Sequence, residues 1–365
     1  MDTLTHGLLG ALTMHGLPRR SENISLKEIT ILGFIAAVFP DVDYLMFWIH
    51  PLQFLAEWHR AATHSLVMLP IWSLLIGFTA AIVIKARWKW RMYTLVCGIA
   101  ILTHILSDII TLYGTQIFNP ISDYKAVIGT TFYIDGYFTG IVLFGLLGSL
   151  LVTRYKPRYH GRFAVAAFCL LVSYLGLQSW FRFLASEYAD RYLAQNNLQA
   201  MAVYKHPQPF SPTYWKLIIE SNDSYHVTFI NVLPADWHQK FTHFMVKVLS
   251  GNSKMIIESA RQYLPTSNAV WSSFQKIDGQ DEVVFTAWNQ DEFSAFRKFA
   301  ILPILYRKDH DTDGICVWFT DLRYVFPVML PPFRYGMCNN HNRWSPFRLE
   351  RNTINSRKPL QWPYL

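Results

Sequence analysis

Along its first half this chain is built of long apolar runs, each interrupted by a very few polar residues. Five stretches have membrane length: 29–50 (ITILGFIAAVFPDVDYLMFWIH), 66–84, 92–113, 137–153 and 163–185. At 1.5 Å of rise per residue, runs of this size match a hydrocarbon core of ~30 Å. The opening MDTLTHGLLGALTMHGL is shorter. Its basic pair, Arg19 and Arg20, comes after the apolar stretch, and Asp2-Thr3-Leu4-Thr5-His6 opens it, the reverse of a signal peptide. It reads as a short helix with Asp2 or Thr3 as N-cap.

Beyond Ala185 the membrane-length runs stop and shorter β-branched runs replace them. Tyr214 to Leu233 holds two such runs around Asn222-Asp223, a hairpin signal. Phe241 to Leu249 reads as a helix, and Glu282 to Trp288 and Ile315 to Tyr324 as strands. From Pro331 onward the chain is rich in Pro, Asn and Arg and reads as poorly ordered. The expected architecture is an α-helical membrane bundle over 1–185, with about five membrane helices plus a short N-terminal helix. A small extracytoplasmic α+β or mainly β domain follows over 186–330, then a tail over 331–365.

Composition supports this division. Hydrophobic residues make up 52% and charged residues 16%, too apolar for an ordinary soluble domain. The net charge of +8 is concentrated in clusters at 19–20, 85–91 and 154–162, between apolar runs. Such clusters point to a cytoplasmic membrane face before nucleic acid, so the expected location is a bacterial inner membrane and no nucleic-acid partner is expected. An odd number of crossings then puts the C-terminal domain outside. The four cysteines form no CxxC, which argues against a thiolate metal site. Cys97 and Cys169 fall in apolar runs, leaving Cys316 and Cys338 as the residues able to pair.

The polar residues inside the apolar runs carry the chemistry. His104 and Asp108 are four apart, on one face of a helix. Pro40 breaks the first run just before Asp41 and Asp43; an uncompensated charge at a helix centre costs roughly 2.5–3.5 kcal/mol on insertion scales. Capping at the break accounts for one of these carboxylates but not easily for both. His59, Arg60 and His64 lie in the polar WHRAATHS passage, and Asp135 ends the loop after the His104 run. Taken singly, each has a bland explanation: a hydrogen-bonded His–Asp pair, or unrelated histidines in a solvated loop. Their depths argue otherwise. His6 precedes Arg19 by 13 residues, Asp41 follows Lys27 by 14 and His104 follows Arg91 by 13; His64, Asp108 and Asp135 lie 21, 17 and 19 from their nearest clusters. All are therefore roughly 20–30 Å from the basic side, in the outer half of the membrane or at its outer surface. Imidazole and carboxylate without thiolate suit zinc, with manganese or iron as alternatives, and this pool is large enough for one or two ions. Two ions would activate a water and clamp the oxygens of a displacement, with Asp41 or Asp43 as the bridge. The expected ligands are His6, Asp41, Asp43, His59, His64, His104, Asp108 and Asp135. Asp43 and Arg60 are the residues expected to serve the reaction, Arg60 by holding an anionic group such as a phosphate.

These residues resemble the membrane-bound, metal-dependent hydrolase family, also called LexA-binding, inner-membrane-associated hydrolases. The resemblance covers about the first 140 residues: Met1-Asp2-Thr3 with Thr5-His6, Pro40-Asp41 with Asp43, His59-Arg60 with Thr63-His64-Ser65, Thr103-His104 with Asp108, Thr111 and Tyr113 to Gln116, and Asp135 with Thr139. Where the family has Asp-Pro, this chain has Asp135-Gly136. The outer domain resembles the longer members less distinctively, through a strand after Pro212 and Asp321-Leu322-Arg323-Tyr324. The same motifs are similar to those of zinc-dependent phospholipase C proteins. Those resemblances imply a metal-dependent hydrolase acting on an ester or phosphodiester, with membrane lipid or a lipid-linked molecule as substrate. The competing readings are a protein whose metal is structural or regulatory, and a metal-ion transporter. The cytoplasmic halves of the helices, nearly free of polar groups, argue against a transport path.

Overall fold

Asp2 caps the first helix, α1 (Thr3–Gly16), by accepting the Thr5 amide at 3.0 Å. The computed structural model describes residues 1–17, 25–155, 159–237, 240, 254–311, 314–341, 343–350 and 357–360. The helix expected at Phe241–Leu249 lies outside them. The chain divides into two units, Met1–Leu45 with Trp58–Trp180 and Met46–Glu57 with Phe181–Leu365.

In the first unit, Ser25 and Glu28 form a capping box at the start of α2 (Leu26–Val38). α1 crosses α2 where neither backbone carries a side chain: a Cβ on Gly10 would sit 2.4 Å from Ala37 Cβ and 2.5 Å from the Gly33 carbonyl oxygen. That close approach sets His6, one turn before Gly10, near the far end of α2. At Phe39–Trp48 the chain tightens into a 3₁₀ helix that includes Pro40 and places Asp41 and Asp43 just past the end of α2. A short α-helical turn (Pro51–Gln53), a π-helical turn (Phe54–Trp58) and a 3₁₀ turn (Ala62–His64) lead to α4 (Leu69–Val83); we label the Pro51–Gln53 turn α3. α5 (Trp90–Ile109) carries His104 and Asp108, and α6 (Gly136–Tyr155) and α7 (His160–Asn196) follow.

The core among α1, α2 and α5 is made largely of small residues, Ala36, Ala37, Cys97 and Ala100, around Met14, Leu32 and Tyr93. Leu9 and Leu12 of α1 pack instead with Phe138, Val142, Ala164 and Leu171 of α6 and α7. The outward faces stay apolar: Phe144 is 75% exposed and Val172 70%. Such faces suit lipid rather than water. Among the described residues, four helical stretches are long and apolar enough to cross a membrane: Leu26–Trp48, Arg87–Ile109, Gly136–Tyr155 and Gly161–Asn196. The pair Pro51–His64 and Leu69–Val83, bent by 67°, brings the number to five if it counts as one span.

The second unit is β-rich, with two five-stranded sheets. In the first, β1 (Ala202–Pro207), β2 (Tyr214–Glu220) and β3 (Ser224–Asn231) are antiparallel; β4 (Leu264–Pro265) runs parallel to β3, and β5 (Ser272–Gln275) also pairs β3. β2 and β3 are the hairpin expected around Asn222-Asp223. The second sheet is antiparallel in the order β10 (Arg357–Pro359), β9 (Arg343–Leu349), β8 (Tyr335–Asn340), β7 (Gly314–Asp321), β6 (Pro303–Asp311). Cys316 and Cys338, directly opposite in β7 and β8, form a disulfide. The stretch after Pro331, expected to be poorly ordered, therefore contributes three strands. Glu282–Trp288, expected as a strand, is a helix. Asp281 caps it by accepting the Val284 amide, and Val284 and Ala287, three apart, are its buried positions.

Lys216 in β2 is fully buried, and its ammonium donates to the carbonyls of Leu322, Arg323 and Val325. Burial lowers its pKa to about 7, against the opposing pull of Asp321. His206, its register partner on β1, is also buried and is held well below its ordinary value, first by burial and then by the Lys216 charge.

Candidate metal centre

The site forms where the end of α2, the Trp58–His64 passage, α1 and the last turns of α5 meet. His104 Nδ1 lies 2.6 Å from the Ala37 carbonyl oxygen. A carbonyl only accepts, so Nδ1 carries the proton and a neutral ring presents a bare Nε2 lone pair on its other side. That Nε2 lies 3.0 Å from His64 Nε2, 3.4 Å from Asp108 Oδ2 and 3.8 Å from Asp41 Oδ1. His64 Nε2 lies 3.3 Å from the same Asp108 oxygen and 3.8 Å from the same Asp41 oxygen. Asp108 Oδ2 is buried and has no hydrogen-bond donor among the described residues.

Two imidazole nitrogens and two carboxylate oxygens thus converge, with Asp108 paired to Arg60 through its other oxygen. Donors bound to one zinc at Zn–N of ≈ 2.0–2.1 Å in a tetrahedron would stand about 3.3 Å apart, close to these spacings. The residues therefore fit a divalent cation held by His104 with His64 and Asp41. His6 joins from α1: its Nε2 is 3.1 Å from Asp108 Oδ1, its Nδ1 is 3.0 Å from Ser107 Oγ, and its ring stacks on His104 with centroids 3.6 Å apart. Two overlapping donor triads result, His6–His104–Asp108 and Asp41–His64–His104.

Asp43 occupies the layer behind these donors. Its carboxylate lies 3.2 Å from His59 Nδ1, accepts the Arg60 amide at 3.0 Å, and lies 3.6 Å from His64 Nδ1. It faces the side of His64 opposite Nε2, where it orients the imidazole; of the two carboxylates expected as a bridge, Asp41 is the one on the Nε2 side. Arg60, expected to hold an anionic group of a substrate, is turned onto the protein: one guanidinium nitrogen is 2.8 Å from Asp108 Oδ1 and another donates to Thr111 Oγ1 at 2.9 Å. Its φ of 58° is a left-handed backbone conformation, which directs its amide to Asp43 and its side chain to Asp108. The Met1 amino nitrogen also contacts Asp108. His59 sits between the rings of Tyr44 and Tyr113, with centroids 4.8 Å away on each side.

Residues 1–184, half of the chain and the part that holds every group just described, match the family described as YdjM inner membrane protein. The chain belongs to that family. No curated protein and no solved structure matches it. The family description agrees with the expected inner-membrane protein and is silent on hydrolysis.

Of the expected ligands in this YdjM-family chain, Asp135 stands apart from both triads. One of its oxygens caps α6 by accepting the amides of Tyr137 and Phe138, and the other accepts the Tyr174 hydroxyl at 2.7 Å. The motif threonines next to His64 and His104 divide. Thr63 lies 3.0 Å from His64 Nδ1, whereas Thr103 donates back to the Ala100 carbonyl of its own helix. Thr3, read from the sequence as a helix cap, donates to Asp41 Oδ2 at 2.5 Å, and Ser107 stands beside His6 Nδ1. Each is three residues from a ligand, Thr3 before His6 and Ser107 after His104. That helical spacing was the available signal.

Proposed function

We propose that this chain is a metal-dependent hydrolase of the bacterial inner membrane whose reaction centre is the Asp41, His64, His104, Asp108 cluster, with His6 beside it. The observation that carries this reading is the convergence of the His104 and His64 Nε2 atoms on Asp108 Oδ2, a buried carboxylate oxygen without a hydrogen-bond partner among the described residues. A divalent cation bound there, zinc before manganese or iron, would lower the pKa of a coordinated water towards neutrality. The chain's own residues supply the rest. Asp43 fixes the His59 tautomer, so His59 is the group placed to take a proton from water and return it to the leaving oxygen. Arg60 pairs with Asp108 and holds its carboxylate in place. The bond broken is the C–O bond of a carboxylic ester or the P–O bond of a phosphodiester: hydroxyl adds to carbon or phosphorus, and the proton His59 took from water goes to the departing alkoxide. Val42 and Tyr44, 43% and 49% exposed beside Asp41 and Asp43, give the rim an apolar character that suits a lipid or lipid-linked substrate.

In this reading the apolar helices cross the membrane more than once, with the basic clusters inside and the metal centre and β-rich domain outside. The Cys316–Cys338 disulfide supports that orientation, because such bonds persist in oxidising compartments.

The test is metal analysis of the purified chain beside its variants, with hydrolysis of phosphodiester and ester substrates. Enzymatic function requires stoichiometric metal lost in His104→Ala, and an Asp43→Asn variant that keeps metal while hydrolysis falls by about two orders of magnitude. A second reading, a structural metal that clamps the helices, is favoured by donors that come from four separate elements of the first unit. It requires metal without hydrolysis in the parent chain, and a loss of thermal stability on chelation.

A further inference from the structure

At the opposite end of α2 from Asp41, the first unit contains a groove of about 670 Å³ between α2 and α4. Both helices pack against α5, and the groove lies between them. Its walls are Ile31 and Ile35 of α2 and Leu75, Thr79 and Val83 of α4, with Leu32 and Ala80 deeper. One end is polar. Ser25, Lys27 and Glu28 border it, and Lys85 follows directly on Ile84, the last lining residue of the α4 side. Glu28 is already neutralised by Lys89, 3.0 Å away, and takes the Tyr93 hydroxyl. Lys27 and Lys85 are exposed and form no ion pair among the described residues. The groove is thus an apolar slot with unspent positive charge at one end, about 20 Å along α2 from the metal centre.

We infer that this groove binds one anionic glycerophospholipid, with an acyl chain between α2 and α4 and the phosphate at Lys27 and Lys85. Charge complementarity selects the ligand. A zwitterionic lipid offers the same chain but cancels the attraction of two lysines, each worth roughly a fivefold gain near an anionic headgroup. The site does not depend on the hydrolase reading, since it shares no residue with the metal cluster.

Native mass spectrometry of the full chain in detergent tests this, with phosphatidylglycerol or phosphatidylcholine of identical acyl chains. The expected result is one retained phosphatidylglycerol, favoured over phosphatidylcholine by about thirtyfold. Lys27→Gln with Lys85→Gln should bring that ratio to about one. Thr79→Trp, which fills the slot from its exposed wall, should abolish retention of either lipid while metal content and melting temperature match the parent. Equal retention of the two lipids by the parent, or retention unchanged in Thr79→Trp, overturns the proposal. So does a dimeric parent that becomes monomeric with Thr79→Trp, since a second copy would then fill the groove.

Discussion

Arg60→Met should destabilise the protein strongly without metal and only mildly with it. The guanidinium is almost fully buried, 2.8 Å from an Asp108 oxygen that also faces His6 Nε2 at 3.1 Å. At an effective dielectric of 20, a pair at that distance attracts by about 6 kcal/mol, most of it offset by the cost of burying both ions. Removing one partner of a buried pair leaves the other uncompensated and typically costs 3–5 kcal/mol. Methionine keeps much of the apolar volume, so the charge dominates the change. A divalent cation at Asp108 Oδ2 restores the missing positive charge. The remaining deficit is then the bonds to Thr111 Oγ1 and the Asp108 carbonyl, roughly 1 kcal/mol each. Thermal unfolding of parent and variant, followed by tryptophan fluorescence in detergent with chelator or with saturating zinc, gives both values. Chelated variant protein should melt about 6–15 °C below the parent, and zinc should close at least half of that gap. An identical deficit in both conditions would refute the reasoning, because Arg60 and the cation would then not share Asp108.

Asp135→Asn should leave metal stoichiometry unchanged while His104→Ala abolishes it, as read by elemental analysis, because Asp135 is engaged by α6 and Tyr174. Gly10→Val should cost more than about 3 kcal/mol and lower metal content as well, since its side chain would meet Ala37 and the Gly33 carbonyl and push α1, with His6, away from α2. Lys216→Met should destabilise the β-rich domain by about 3 kcal/mol, removing three buried hydrogen bonds to carbonyls, as measured by denaturant melts monitored at its tryptophans. That domain should also lose stability steadily as pH falls. Lys216 and His206 both have lowered folded pKa values, so the unfolded chain binds more protons, for lysine from pH 10.5 down to about 7 and for histidine below 6.5. A midpoint that stays level or rises between pH 9 and pH 5.5 would contradict this.

Much of the centre was legible because helical periodicity is local. His104 and Asp108 share a face at any tertiary arrangement, and the distance of each polar residue from the basic clusters gave each a similar expected depth. What periodicity does not encode is the direction from which a side chain meets its neighbours. Asp43 and Asp41 are two apart and look equivalent in sequence, yet one faces His64 Nδ1 and the other its Nε2. Arg60 reads as a substrate clamp until its left-handed backbone turns it onto Asp108. Glu282–Trp288 is short enough that β-branched content suggested a strand, whereas the Asp281 cap and the i, i+3 burial of Val284 and Ala287 settle it as helix.

The hydrogen bond from His104 to Ala37 limits how many guests the cluster can host. With Nδ1 occupied, the ring has one lone pair to give, and both triads draw on it. The triads are therefore rival berths for a single ion, and a titration should saturate at one equivalent. A second metal would have to be held without His104. A competing metal should enter only as the first one leaves.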